Sequence, residues 1–175
     1  YFTYNNLKFF PVYFETFDQA IVAYKKNRCD AFTSDFSGLI AARLSLQNID
    51  NHIILDERIS KEPLAPVLRI GDDQWYKIVN WSILTTIAAE ELNLNSTNID
   101  LLKKSKDPSI QRILNVTQAS DMGLSNEFAY SIIKLVGNYK EIYDRNIGEK
   151  SQFKVSRGLN ALWRDGGIQY SPPFR

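Results

Sequence analysis

All the runs in this chain that favour an extended backbone lie before residue 71. Residues 7–14, 30–34, 52–56 and 64–70 are short and rich in β-branched and aromatic side chains, the residue types that fit a pleated, half-buried surface. Helix-patterned segments at 17–26 and 35–44 separate the first three, so the opening part reads as βα units of a mostly parallel sheet. After Gly71 the pattern becomes helical over 73–92, 96–100, 126–136 and 139–146, with Asp107-Pro108 opening one more helix. Gly137 and Gly148 are the expected stops of the last two. Four strands followed by about a hundred mainly helical residues make an awkward sheet. Central parallel strands are buried on both faces, yet Pro11 confines the first run to an edge or a strand start.

Composition narrows the function. A 44% hydrophobic content with 13% aromatic residues supports a real core. A formal charge of +1, with its basic runs at 25–28 and 103–106 placed at helix ends, offers no nucleic-acid-binding stripe. No apolar stretch has the roughly 20 residues of a membrane span, so no stable membrane insertion is expected. The single cysteine, Cys29, excludes an internal disulfide and a cysteine-based zinc site, and reads as a small buried hydrophobe. His52 is the sole histidine, no G-x-S-x-G turn accompanies it, and a packed or surface role is favoured over catalysis. Glycine-rich phosphate loops are absent from the sequence, and no cofactor or metal is expected. Trp75, Trp81 and Trp163 sit in amphipathic contexts and are read as core.

Asp35 stands apart. It lies where the 30–34 run ends and a helix begins, and ligands of open α/β sheets bind at the carboxyl ends of strands. A carboxylate there can receive a ligand ammonium, or it can simply cap the helix. Position alone leaves both readings open.

The run from Ala23 to Asp35, A-Y-K-K-N-R-C-D-A-F-T-S-D, resembles a segment of type II solute-binding proteins for polar amino acids. Asn27 replaces the glycine usual in that family, and asparagine tolerates the same left-handed turn. Residues 59–64 (I-S-K-E-P-L), 71–75 (G-D-D-Q-W), 89–92, 137–139, 157–163 and 166–175 resemble the general L-amino-acid-binding subfamily.

The resemblance implies a two-lobed α/β protein of the periplasmic-binding-protein-like fold, closing on its ligand about a hinge. Residues 1–70 would be an incomplete second lobe ending in a hinge-crossing strand. Residues 71–175 would be a helical part that packs on the first lobe. Family members carry a secretory signal, a first lobe and the opening of the second ahead of the position matching Tyr1, so the chain is expected to be a C-terminal half. The implied function is capture of L-amino acids in the periplasm for the permease subunits of an ABC importer, without enzymatic activity. Asp35 would hold the ligand α-ammonium with Ser34 beside it, and Asp30 would be structural. Arg28, Arg43 and Arg69 do not match the arginine that grips the α-carboxylate. A truncated, non-binding remnant is the alternative. An enzyme on the same fold, a dehydratase or a cell-wall lyase, lacks an acid–base constellation.

Overall fold

Helix starts and stops follow local chemistry closely in the computed structural model, which describes residues 1–60 and 63–174. Lys61, Glu62 and Arg175, which belong to the 59–64 and 166–175 motifs, lie outside the described residues. Helix α1 (Phe17–Lys25) begins where Thr16 Oγ1 accepts a hydrogen bond from the Gln19 amide at 3.3 Å. It stops in a Schellman turn: Asn27 takes φ 54°, its amide donates to Tyr24 O, and the Arg28 amide donates to Ala23 O at 3.0 Å. Asparagine thus does the work of the glycine usual at this motif position.

Helix α2 (Phe36–Leu44) follows. Helix α3 (Asp73–Glu91) is capped by Asp72 Oδ1, which accepts from the Trp75 amide at 2.9 Å, and ends at Asn93 with φ 56°. Helices α4 (Ile99–Leu102) and α5 (Pro108–Leu114) come next, the latter capped by Asp107 with proline in its first turn. Helix α6 (Phe128–Val136) stops at Gly137, φ 82°, and α7 (Tyr139–Asn146) opens with an Asn138–Glu141 capping box. Short 3₁₀ turns occupy Ile49–Asn51, Thr117–Met122, Gly158–Asn160 and Trp163–Asp165, none of which the periodicity indicates.

The chain divides into two compact units, Tyr1–Pro66 and Val67–Arg175. The break falls inside the 64–70 run expected to cross a hinge. In the second unit α3 packs against α5, α6 and α7, and α6 also meets α4 and α5. Leu94, Ile99, Ile113, Leu114 and Ile133 are at most 2% exposed and form the centre of this core. Trp81 joins it through an edge contact with Phe174, ring centroids 5.0 Å apart. Trp75 and Trp163, expected in the core, are instead exposed. Trp163 sits at a rim where Glu91 Oε1 accepts its indole N–H at 3.1 Å, so a surface position leaves no polar group unpaired.

The first unit is sparsely packed. Among the described residues its buried hydrophobics are Ala23, Ile40 and Ala42. An aromatic cluster of Phe17, Phe32 and Tyr24 holds α1 to the segment before α2.

The expected strands are where the structure departs most from the sequence reading. Among the described residues none of the runs 7–14, 30–34, 52–56 and 64–70 enters a β-ladder, and the one β-pairing is an isolated parallel bridge between Leu162 and Gln169. Residue type favours extended backbone, but a strand exists only when a neighbour takes its N–H and C=O groups. Phe10, Val67 and Ile70 are more than nine-tenths exposed accordingly.

Candidate functional site

The α1–α2 module of the first unit presents Asp35. Asp35 has φ −54° and ψ 143°, and its carbonyl accepts the Leu39 amide at 2.9 Å as a first backbone bond of α2. Its carboxylate does not cap that helix, is exposed, and makes no hydrogen bond or ion pair among the described residues. Thr16, Asp72, Asp107 and Asn138 cap their helices through the side chain, whereas Asp35, like Asn98 before α4 and Glu127 before α6, does not. Ser34, beside it, is exposed as well.

Gly38, one turn into α2, faces the Phe17 ring and Ser34 Oγ; a Cβ there would meet them at 3.5 and 3.4 Å, ordinary contact distances. The Arg58 guanidinium lies over the ring of Phe36, the first residue of α2, 4.9 Å from its centroid. Arg58 Nη1 also donates to Asp56 O at 3.0 Å. Sequence reasoning missed Arg58; an arginine some twenty residues from its ring partner leaves no periodic signal.

His52 is a packing residue. Its Nδ1 is hydrogen-bonded to Tyr24 Oη at 2.8 Å, and its carbonyl accepts Arg43 Nε at 2.7 Å. Arg43 also donates to Ile49 O, so this guanidinium is committed to the turn before His52. Cys29 is half-buried rather than enclosed, because it follows the turn that closes α1 and lies on no core-facing helix. Asp30 is exposed with no side-chain partner among the described residues, so no contact here supports a structural role. No group of three potential metal ligands occurs among the described residues.

The second unit holds a polar constellation that sequence reasoning did not assemble. Arg157 pairs with Glu90 at 3.1 Å, donates to Asn160 O, and lies over the rings of Tyr139 and Tyr143 at 5.4 and 5.2 Å. Burial raises the pKa of both phenols. Nearby, burial alone would raise the Glu141 carboxyl. Hydrogen bonds from Ser96 Oγ and from the Asn138 and Ser96 amides outweigh that and leave its pKa below the ordinary value. A cleft of about 260 Å³, lined in part by Glu90, Lys140, Arg164 and Asp165, opens beside these residues. Its charges are mixed and no enclosed polar group points into it without a partner.

No protein-family model matches the chain. It is 51% identical over 179 residues to the general L-amino acid-binding periplasmic protein AapJ of Rhizobium johnstonii, a match covering 100% of this chain and 52% of the relative. It is 39% identical over 178 residues to the glutamate/glutamine/aspartate/asparagine-binding protein BztA of Rhodobacter capsulatus, covering 100% of this chain and 53% of that protein. Among solved structures, an ABC transporter periplasmic binding protein from Brucella ovis with glutathione bound matches at a TM-score of 0.87 and 44% identity. That match covers 99% of this chain and 56% of the Brucella chain. The chain therefore spans about half the length of the curated relatives it matches. Identity at this level along the whole chain, with a closely matching backbone, makes it a homologue of the C-terminal portion of the periplasmic amino-acid-binding proteins of ABC transporters.

Proposed function

We propose that the protein carrying this chain captures L-amino acids in the periplasm and delivers them to the permease of an ABC importer, with Asp35 holding the ligand α-ammonium and Ser34 beside it. The observation that carries this reading is the Asp35 carboxylate itself, exposed at the start of α2 and making no cap bond. A carboxylate with neither cap nor ion-pair partner is available for a charge-assisted hydrogen bond to an ammonium group. The relatives are named as binding proteins rather than enzymes, and no described helix is long and apolar enough to cross a membrane. In this reading the protein has the two-lobed α/β architecture. The ligand gains contacts to both lobes only in the closed state and so shifts the population toward it.

Glutathione is a second ligand class, favoured by the Brucella structure. Its γ-glutamyl end carries the same α-amino acid group, so Asp35 serves either ligand in the same way.

The test is Asp35→Asn in a full-length protein, the chain joined to the N-terminal portion of the Rhizobium relative. Asparagine caps helices about as well as aspartate, so a cap role predicts no change. A buried ammonium deprived of its counter-charge predicts a loss of about 3–5 kcal/mol, more than a hundredfold in Kd. Calorimetry with a bound amino acid reads this directly. Affinity within about threefold of the parent overturns the reading.

A further inference from the structure

We propose that Arg58 is a selectivity residue of this same site, favouring ligands that carry a second carboxylate: acidic amino acids and γ-glutamyl peptides with a free terminal carboxylate. The inference rests on the reading of Asp35 above and adds the substrate class.

Phe36 follows Asp35 and is the first residue of α2, and the Arg58 guanidinium lies over its ring, 4.9 Å from the centroid. A cation therefore lies against the first residue of the helix that Asp35 precedes. Of the other arginines in the first unit, Arg43 is committed to the turn before His52, donating to His52 O and Ile49 O.

One Arg58 nitrogen, Nη1, donates to Asp56 O at 3.0 Å, and the guanidinium carbon lies over the Phe36 ring. The ring contact and the backbone bond restrain the fork, so less side-chain freedom is lost when it engages a ligand. Nε and Nη2 have no partner among the described residues, and these are the donors that a carboxylate can engage in parallel.

An ammonium acceptor and a carboxylate donor at one helix end complement a molecule that carries both groups. A ligand with only an aliphatic side chain leaves Arg58 where solvent already satisfies it, so the same cation neither helps nor harms that ligand. The outcome is graded selectivity rather than exclusion.

The test uses the full-length protein described above and three ligands: L-leucine, L-glutamate and glutathione. In Arg58→Ala, affinity for L-glutamate and glutathione is expected to fall about tenfold or more, the effect of losing a charge-assisted pair, while L-leucine stays within about twofold. Arg58→Lys is expected to retain a preference for L-glutamate over L-leucine, because the charge remains. Asp35→Asn, measured alongside, is expected to weaken all three ligands together. If Arg58→Ala changes the three ligands equally, or none of them, the inference is overturned while the Asp35 reading stands. If Asp35→Asn changes nothing, the Asp35 reading fails, whatever Arg58 does. A folded full-length protein that binds none of the three overturns both.

Discussion

At the scale of single residues, asparagine is the distinctive choice in this chain. Asn6, Asn27, Asn48 and Asn93 all have positive φ, and Asn27 and Asn93 close α1 and α3. A short polar side chain lowers the penalty of the left-handed region, which costs most L-residues roughly 1–2 kcal/mol. Asn27→Ala is therefore expected to destabilise the first unit by about 1 kcal/mol, and Asn27→Gly to leave it unchanged or slightly more stable. Gly38 is the opposite case. It lies inside α2, and a methyl group there meets Phe17 and Ser34 at ordinary distances. Gly38→Ala is expected to raise stability by up to about 1 kcal/mol through helix propensity. Denaturant midpoints of the two variants, moving in opposite directions, check both. Asp35 belongs at this scale too: its type and position were legible in sequence, whereas its missing cap bond was not.

Between elements, the second unit is tied by polar side chains that reach across sequence. Glu141 completes the capping box of α7 and also accepts from Ser96 Oγ at 2.5 Å, joining α7 to the segment before α4. Its folded pKa lies below the ordinary glutamate value, so the carboxylate binds a proton less readily in the folded state than in the unfolded chain. Its stabilising contribution is then complete above the unfolded value, about 4.3, and is lost as pH falls through the lowered folded value. Glu141→Gln is expected to reduce stability at neutral pH, with the gap to the parent closing below about pH 4. Thermal melts of both proteins between neutral pH and pH 3 measure that gap. A gap independent of pH would mean that packing, not charge, is the contribution of Glu141. By contrast, the Lys134–Asp100 and Lys103–Glu127 pairs are exposed, and neutralising them is expected to matter little.

For the molecule as a whole, the two units differ in what holds them. The second buries a continuous core from α3 to α6 and closes it with Phe174. The first buries Ala23, Ile40 and Ala42 among its described residues and leaves Phe10, Tyr13 and Ile53 exposed. Local opening costs least where few apolar contacts must be broken. Amides of α3 and α6 in the isolated chain are therefore expected to resist hydrogen exchange far longer than those of α1 and α2. Residue-resolved exchange at neutral pH checks this, and equal protection in the two units would show that the first is held by more than its own packing.

Local residue chemistry sets where helices start and stop. Caps, proline at a first turn and asparagine or glycine past a last turn act within a few residues, and side-chain chemistry is sufficient there. That is why the limits read for α1, α3 and α7, and the start read for α5, fall within a residue or two of those in the structure. The resemblance carried by residues 23–35 and the later motifs was legible for a similar reason: it resides in residue identities, whatever their contacts. Other features depend on contacts between distant segments. Whether 7–14 or 52–56 becomes a strand depends on a neighbour for its backbone, and no local preference supplies one. Which tryptophan packs against the core depended on Phe174 reaching Trp81 from the far end of the second unit. The contact of Arg58 with the Phe36 ring likewise depends on where separate segments meet, and chain order does not fix that meeting.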